Sequence, residues 1–332
     1  MTLKIIAEAA QGFLGDPPMK TKLLARMAAA AGADAVKFQL VYADEICTQD
    51  HKHFDLFRDL EMPNEEWAAL SDLCRDLGIE LYLDVFGPRS LTLADRLGAA
   101  GVKIHSTDAM NHALISAIAA SGVLEVLLSV GGANAPEIER AMGLLAGKRV
   151  VLLHGFQGYP TETDENQIRR LTWLRDTFPG APLGFGDHVA SDRPERLWLS
   201  AVAVGAGATL IEKHLTMAAV MKEEDHEAAV GPDEFASFVA NMRMAFDALG
   251  DVDPRAEDLG MSDREIAYRK VMKKHVVAAA DLKKGAVLTA EVLTLKRTSN
   301  QGAVYYDLAD VLGKTLLVDL MTDAPVEKGR VQ

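Results

Sequence analysis

At 332 residues the chain is longer than a single hydrophobic core usually organises, so one large domain and one small one are expected. A composition that is 49% hydrophobic and 25% charged excludes a disordered or fibrous chain. The formal net charge of −13, with no stripe of Lys and Arg, argues against a nucleic-acid partner, yet an anionic small molecule needs only a few local cations.

The opening apolar stretch meets Glu8 too early for a signal-peptide core, and nowhere do eighteen apolar residues run together, so no membrane partner is expected. Cys47 and Cys74 form no C-x-x-C pair and are read as reduced thiols of a cytoplasmic protein. From Lys4 a beat begins: a short Val/Ile/Leu-rich run, a polar end, then a segment of helical period. The expected strands are Lys4–Glu8, Ala35–Gln39, Glu80–Asp84, Val102–Ser106, Val126–Ser129 and Val150–His154, followed by the runs Gly184–His188 and Leu210–His214. Helices are expected near Met19–Ala31, Asn64–Leu77, Ile168–Phe178, Leu197–Val204 and Phe235–Leu249. Pro63 with Asn64, Glu65 and Glu66 is a helix-start signal that places acidic residues where the helix dipole favours them.

Eight such units in about 250 residues predict an α/β fold, a closed (β/α)8 TIM barrel. An open doubly wound sheet is disfavoured because no Gly-x-Gly-x-x-Gly turn follows the first strand. The predicted organisation is a barrel domain over 1–250, a charged linker over 251–270 and a small, mostly β domain over 271–332. In the last of these, His275–Val277 and Val287–Leu288 flank Asp281-Leu282-Lys283-Lys284-Gly285 as strand, turn and strand.

Barrels of this kind carry their active sites at the carboxyl ends of the strands. Here those ends read Glu8, Lys37 with Gln39, Asp84, Lys103 with Ser106, Ser129, His154, Asp187 with His188, and Glu212 with His214. Alternation puts Lys37 and Gln39 on one face, and Glu212 and His214 on one face, with Phe38 and Lys213 pointing the other way. One buried lysine can be a structural ion-pair partner, but eight polar strand ends together point to a site. Neutral imidazoles at His188 and His214 suit Mn, Fe, Co or Zn in a Lewis-acid role; the plain alternative is two hydrogen-bonded structural histidines. Lys37 and Lys103 have two chemical readings, as point charges for a phosphate or carboxylate, or, for Lys103 and less readily Lys213, as a Schiff-base amine.

These strand ends resemble the sialic acid synthase (N-acetylneuraminate synthase) family. The stretches that carry the resemblance are Ala7-Glu8, Val36-Lys37-Phe38-Gln39, Lys103-Ile104-His105-Ser106-Thr107-Asp108, His154 through Thr161, Gly186-Asp187-His188, Glu212-Lys213-His214 and Asp225 ahead of Gly231-Pro232-Asp233-Glu234-Phe235. The tail is similar to that family's antifreeze-like (SAF) domain, through Asp281–Gly285, Leu295-Lys296-Arg297 and Leu312-Gly313-Lys314. The resemblance implies condensation of phosphoenolpyruvate with an N-acetylated hexosamine to a nonulosonic acid plus phosphate. It also implies a divalent metal on His188 and His214, usually Mn2+, with Mg2+ or Co2+ possible. Lys37, Lys103, Ser106, Ser129 and Gln157 fall at phosphoenolpyruvate positions, Gln39 is a further substrate-binding candidate, and Asp108 falls at the position of an acidic group placed for proton transfer. Glu8, Tyr159 and Asp225 match positions near the sugar or the metal's waters, and Arg297 one that reaches a partner's site in a domain-swapped homodimer.

The chain departs from the pattern at four places. Gly12 and Phe13 stand where the family has Asn-His, implying altered sugar contacts, and Gly186 stands for a serine. Thr298-Ser299 replaces Pro-Gly. Asp84 occupies the place of a threonine, where a carboxylate repels phosphate unless a cation intervenes. Two other readings follow: a Schiff-base lyase or aldolase of 2-keto sugar acids, and a non-catalytic sugar-binding homologue.

Overall fold

The computed structural model describes residues 2–155, 158–251, 259–299 and 302–332. The chain forms two compact units, 1–250 and 251–332.

The first unit is a closed barrel of eight parallel strands in sequence order: β1 Lys4–Glu8, β2 Ala35–Gln39, β3 Glu80–Asp84, β4 Gly101–Ile104, β5 Glu125–Ser129, β6 Arg149–Gly155, β7 Leu183–Asp187 and β8 Leu210–His214. The ring closes where β1 pairs with β8, Glu8 opposite His214. Around it run α1 Pro17–Ala30, α2 Asn64–Leu77, α3 Pro88–Leu97, α4 His112–Ala120, α5 Ala135–Leu144, α6 Arg170–Thr177, α7 Leu199–Gly205 and α8 Pro232–Leu249, with two short helices inserted between β2 and α2. The predicted helix start is borne out. α2 begins at Asn64 with Glu65 and Glu66 in its first turn, and it ends at Gly78, whose φ of 68° suits a residue without a Cβ.

Strand parity divides the apolar residues into two cores. Ile6, Ala35, Tyr82, Leu127, Val151, Leu153 and Leu210 fill the barrel interior, so the barrel is packed rather than hollow. The alternate positions, among them Ile5, Val36, Phe38, Leu83, Val102, Leu128, Phe185 and Ile211, pack outward with the helices. The parity set by these fillers continues to the strand ends and decides which polar side chains reach the mouth. β4 ends at Ile104 rather than Ser106, because residues 106–108 turn into a short 3-10 helix.

The second unit differs from expectation in two respects. The segment read as a linker contains a helix, α9 Asp263–Met272, whose start is capped reciprocally by Ser262 and Glu265. The partner of β9 His275–Ala278 is β10 Leu293–Lys296, antiparallel, rather than Val287–Leu288, which makes only an isolated bridge from Val287 to Thr315. The intervening turn is held by Asp281, which accepts hydrogen bonds from the backbone and hydroxyl of Thr322, and by Gly285 at a φ of 88°. A small core of Val276, Ala278, Leu288, Leu293, Val311, Leu316, Leu320 and Val326 holds this unit together. Among the described residues no helix is long and apolar enough to cross a membrane.

Candidate active site

The carboxyl ends of the strands open into one cavity of about 280 Å³. Inward parity brings Glu8, Lys37 with Gln39, Asp84, Lys103, Ser129, and Glu212 with His214 to its wall, and His188, one residue past β7, joins them. Tyr159 and Asp225 line it from the loops.

The floor is an ion cluster. Lys37 Nζ is fully buried and pairs with Glu8, with Asp84 Oδ1 at 2.6 Å and with Glu212 Oε2 at 3.7 Å. Lys103 Nζ lies 2.6 Å from Glu212 Oε1. Burial would lower Lys37, but the three carboxylates outweigh it and hold the ammonium more firmly protonated than a free lysine. Burial would likewise raise Glu212, yet Lys103 and Lys37 overcome it and hold that carboxyl down at about 2. Glu8 goes the other way: burial, reinforced by Glu212 and Asp84 against the pull of Lys37, pushes it up to about 8. Its Oε1 also accepts the Ala10 amide at 2.6 Å.

The two imidazoles sit together, ring centroids 5.1 Å apart, with the Tyr159 ring 5.9 Å from each. His188 Nδ1 is 3.1 Å from the Gly186 carbonyl; as donor to that oxygen it leaves the ring's lone pair on Nε2. His214 Nδ1 is buried and has no hydrogen-bond partner among the described residues. Burial lowers both rings, His188 to about 4 and His214 well below its usual value, so both are neutral, the form that binds metal. The pair therefore fits a divalent ion; no third His, Cys, Asp or Glu completes a cluster among the described residues, so other positions would fall to water or substrate.

Several candidates lie elsewhere. Ser106 and Asp108 occupy the 3-10 turn outside the cavity wall, and Asp108 accepts from Asn111 at 2.8 Å and from Thr107 at 3.3 Å. His105 and Thr107 line the cavity instead. Parity held the signal: His105 is two residues beyond inward-facing Lys103. Asp187 faces outward, where it pairs with Lys213 at 2.9 Å and accepts from Ser200 at 2.6 Å. His154 lies outside the cavity, against the Asn166 carbonyl at 2.9 Å, while its neighbours Leu153 and Gly155 line it. Gln157 lies outside the described residues. Arg297 belongs to the second unit, where Nε donates to the Met272 carbonyl at 3.2 Å. Of the pair read as altering sugar contacts, Gly12 and Phe13, Phe13 is fully buried core, edge-on to Phe38 and Trp67, while Gln11 lines the cavity beside Gln39 at 3.1 Å.

Fold and site together define a (β/α)8 barrel protein with an ionic, imidazole-bearing pocket at the strand ends and a small appended β unit. The chain belongs to the NeuB family, whose model matches residues 24–254, and the SAF domain model matches residues 273–332. Among its relatives are the N,N'-diacetyllegionaminic acid synthases of Campylobacter jejuni, 30% identical over 93% of this chain and 94% of that one, and of Legionella pneumophila, 29% identical over 96% and 92%. A crystal structure of the N-acetylneuraminic acid synthetase of Leptospira borgpetersenii in complex with citrate is similar with a TM-score of 0.72, at 28% identity, covering 82% of this chain and 93% of that one.

Proposed function

We propose that the chain is a synthase that condenses phosphoenolpyruvate with an N-acetylated hexosamine to a nonulosonic, sialic-acid-like 2-keto acid and phosphate. The observation that carries this reading is the meeting of Lys37, Lys103, Gln39 and Ser129 with the paired imidazoles of His188 and His214 in one cavity, on a chain whose relatives are synthases of such acids.

In the reaction C3 of the enol phosphate bonds to the sugar's aldehyde carbon, water adds at C2, and the C2–O bond to phosphate breaks. Lys37, Lys103, Gln39 and Ser129 supply charge and hydrogen bonds for the carboxylate and phosphate. His188 and His214 would hold a divalent ion, Mn2+ first and Mg2+ or Co2+ as alternatives, which when bound supplies a Lewis acid at the aldehyde oxygen. Glu8, titrating near neutrality on the cavity wall, is suited to take or give a proton there. The packed barrel interior below and the Tyr159 ring beside the imidazoles limit access of bulk water to the enol phosphate. Arg297, acting in a homodimer on the partner's site, belongs to the same reading.

The Schiff-base reading is less well supported, because Lys103 Nζ is held 2.6 Å from the Glu212 carboxylate. The test is phosphate release from phosphoenolpyruvate with Mn2+ across a panel of N-acetylated hexosamines. One phosphate per 2-keto acid formed is expected. Failure to release phosphate with any sugar, together with borohydride trapping of pyruvate on Lys103, would replace the synthase by a lyase.

A further inference from the structure

We infer that Asp84 makes anion binding in this cavity conditional on a divalent cation, because it holds Lys37 in an internal ion pair. The identity of the anion rests on the synthase reading above; the sign of the effect rests on geometry.

Lys37 Nζ has three protons to donate, and three carboxylates surround it: Glu8, Asp84 at 2.6 Å and Glu212 at 3.7 Å. Lys103, the other ammonium of the cavity, is paired to Glu212 at 2.6 Å. Burial lowers the His105 imidazole, which also lines the wall, to about 4, so it adds no positive charge. Two lysines thus face four carboxylates, Glu8, Asp84, Glu212 and Asp225, so negative charge is in excess even with Glu8 protonated. An incoming phosphate and carboxylate therefore meet no surplus positive charge.

Asp84 tips this balance. Its Oδ2 is buried and has no hydrogen-bond partner among the described residues, so a second unsatisfied negative oxygen stands on the wall where the ligand must approach. It cannot withdraw, since the residue is fixed at the end of β3 between Gln39 of β2 and Lys103 of β4. A neutral side chain there would remove one negative charge from beside Lys37 and leave more of its positive field for the ligand. With the carboxylate in place, the missing charge must come from a divalent ion sharing the cavity, and the imidazole pair is the place for it.

The experiment is calorimetric titration of phosphoenolpyruvate, with inorganic phosphate as a second probe, into the full chain with chelator or with Mn2+. Wild type should bind the anion more tightly with Mn2+ by tenfold to on the order of a hundredfold, and by reciprocity Mn2+ should bind more tightly by the same factor when the anion is present. Asp84→Asn, of the same shape, should bind the metal-free anion at least about tenfold better than wild type and lose that much of the coupling. Equal wild-type affinity with and without Mn2+ overturns the inference without recourse to any variant. So does a folded Asp84→Asn chain, checked by circular dichroism, with unchanged or weaker metal-free binding. If either occurs while phosphate is still released with sugar, the synthase reading stands alone. If wild type binds no phosphoenolpyruvate under any condition, both fall.

Discussion

Lys103 Nζ lies 2.6 Å from Glu212 Oε1, a buried ion pair that ties β4 to β8 across the mouth although the two strands are not neighbours in the sheet. Removing one partner of a buried pair leaves the other charge uncompensated, at a cost of roughly 3–5 kcal/mol. Glu212→Gln, which keeps the shape, should lower unfolding stability in urea by about that amount. A change within about 0.5 kcal/mol, the usual range for a surface exchange, would mean that the pair contributes little to the barrel.

His188 and His214 should be separable from the fold. His214 Nδ1 has no partner among the described residues, so His214→Ala breaks no hydrogen bond at that atom and should leave a chain that melts cooperatively. Mn2+ affinity, followed by calorimetry or by the electron spin signal of free Mn2+, should fall by at least roughly a hundredfold in either alanine variant, since losing even an outer-sphere partner costs up to that much. Unchanged Mn2+ binding in both variants would remove the imidazole pair as the metal's ligands.

Glu8 gives the stability a pH dependence of definite sign. Its carboxyl stands at about 8 in the folded chain against a reference of 4.5, so between those values the folded state holds a proton that the unfolded chain has released. The stability contributed by that proton is complete below 4.5 and is lost as pH rises through 8. Glu8→Gln should flatten this fall, which in wild type amounts to a few kcal/mol on the order of the shift. Denaturant midpoints taken from pH 5 to 9 decide it: parallel curves for the two proteins would place the titration elsewhere.

Much of this site was legible because a strand end obeys a two-residue rule. Four strands (β1, β2, β3 and β8) run over the residues read as strands, and Lys37 with Gln39, and Glu212 with His214, share a face as alternation requires. What the rule alone does not supply is absolute parity. Only the interior fillers, such as Leu153 on β6, show that Gly155 points in and His154 out, or that Asp187 turns toward Lys213 and Ser200. The parity set by Lys103 carries past the strand end: His105 and Thr107 line the wall, while Ser106 and Asp108 of the 3-10 turn lie outside it. Pairing across the barrel, Lys103 with Glu212 or Lys37 with three carboxylates, joins residues up to 175 positions apart in the chain and depends on closure of the sheet.

Phe13 illustrates the limit of a motif taken apart from its packing. Its ring centroid lies 6.0 Å from that of Phe38 and 6.4 Å from that of Trp67, and all three rings meet edge to face on the outer side of β2. Such a cluster excludes water and has no room for a sugar, so the residue acts through the core. Phe13→Ala should cost roughly 3–5 kcal/mol in unfolding stability. Phe13→His should also destabilise, because an imidazole buried among three apolar faces lacks a hydrogen-bond partner there. Neither exchange should change the affinity of the folded protein for phosphoenolpyruvate. The decisive comparison is Phe13→His against wild type in both urea denaturation and acceptor-sugar KM: undiminished stability with a lowered KM would show that the position faces the cavity after all.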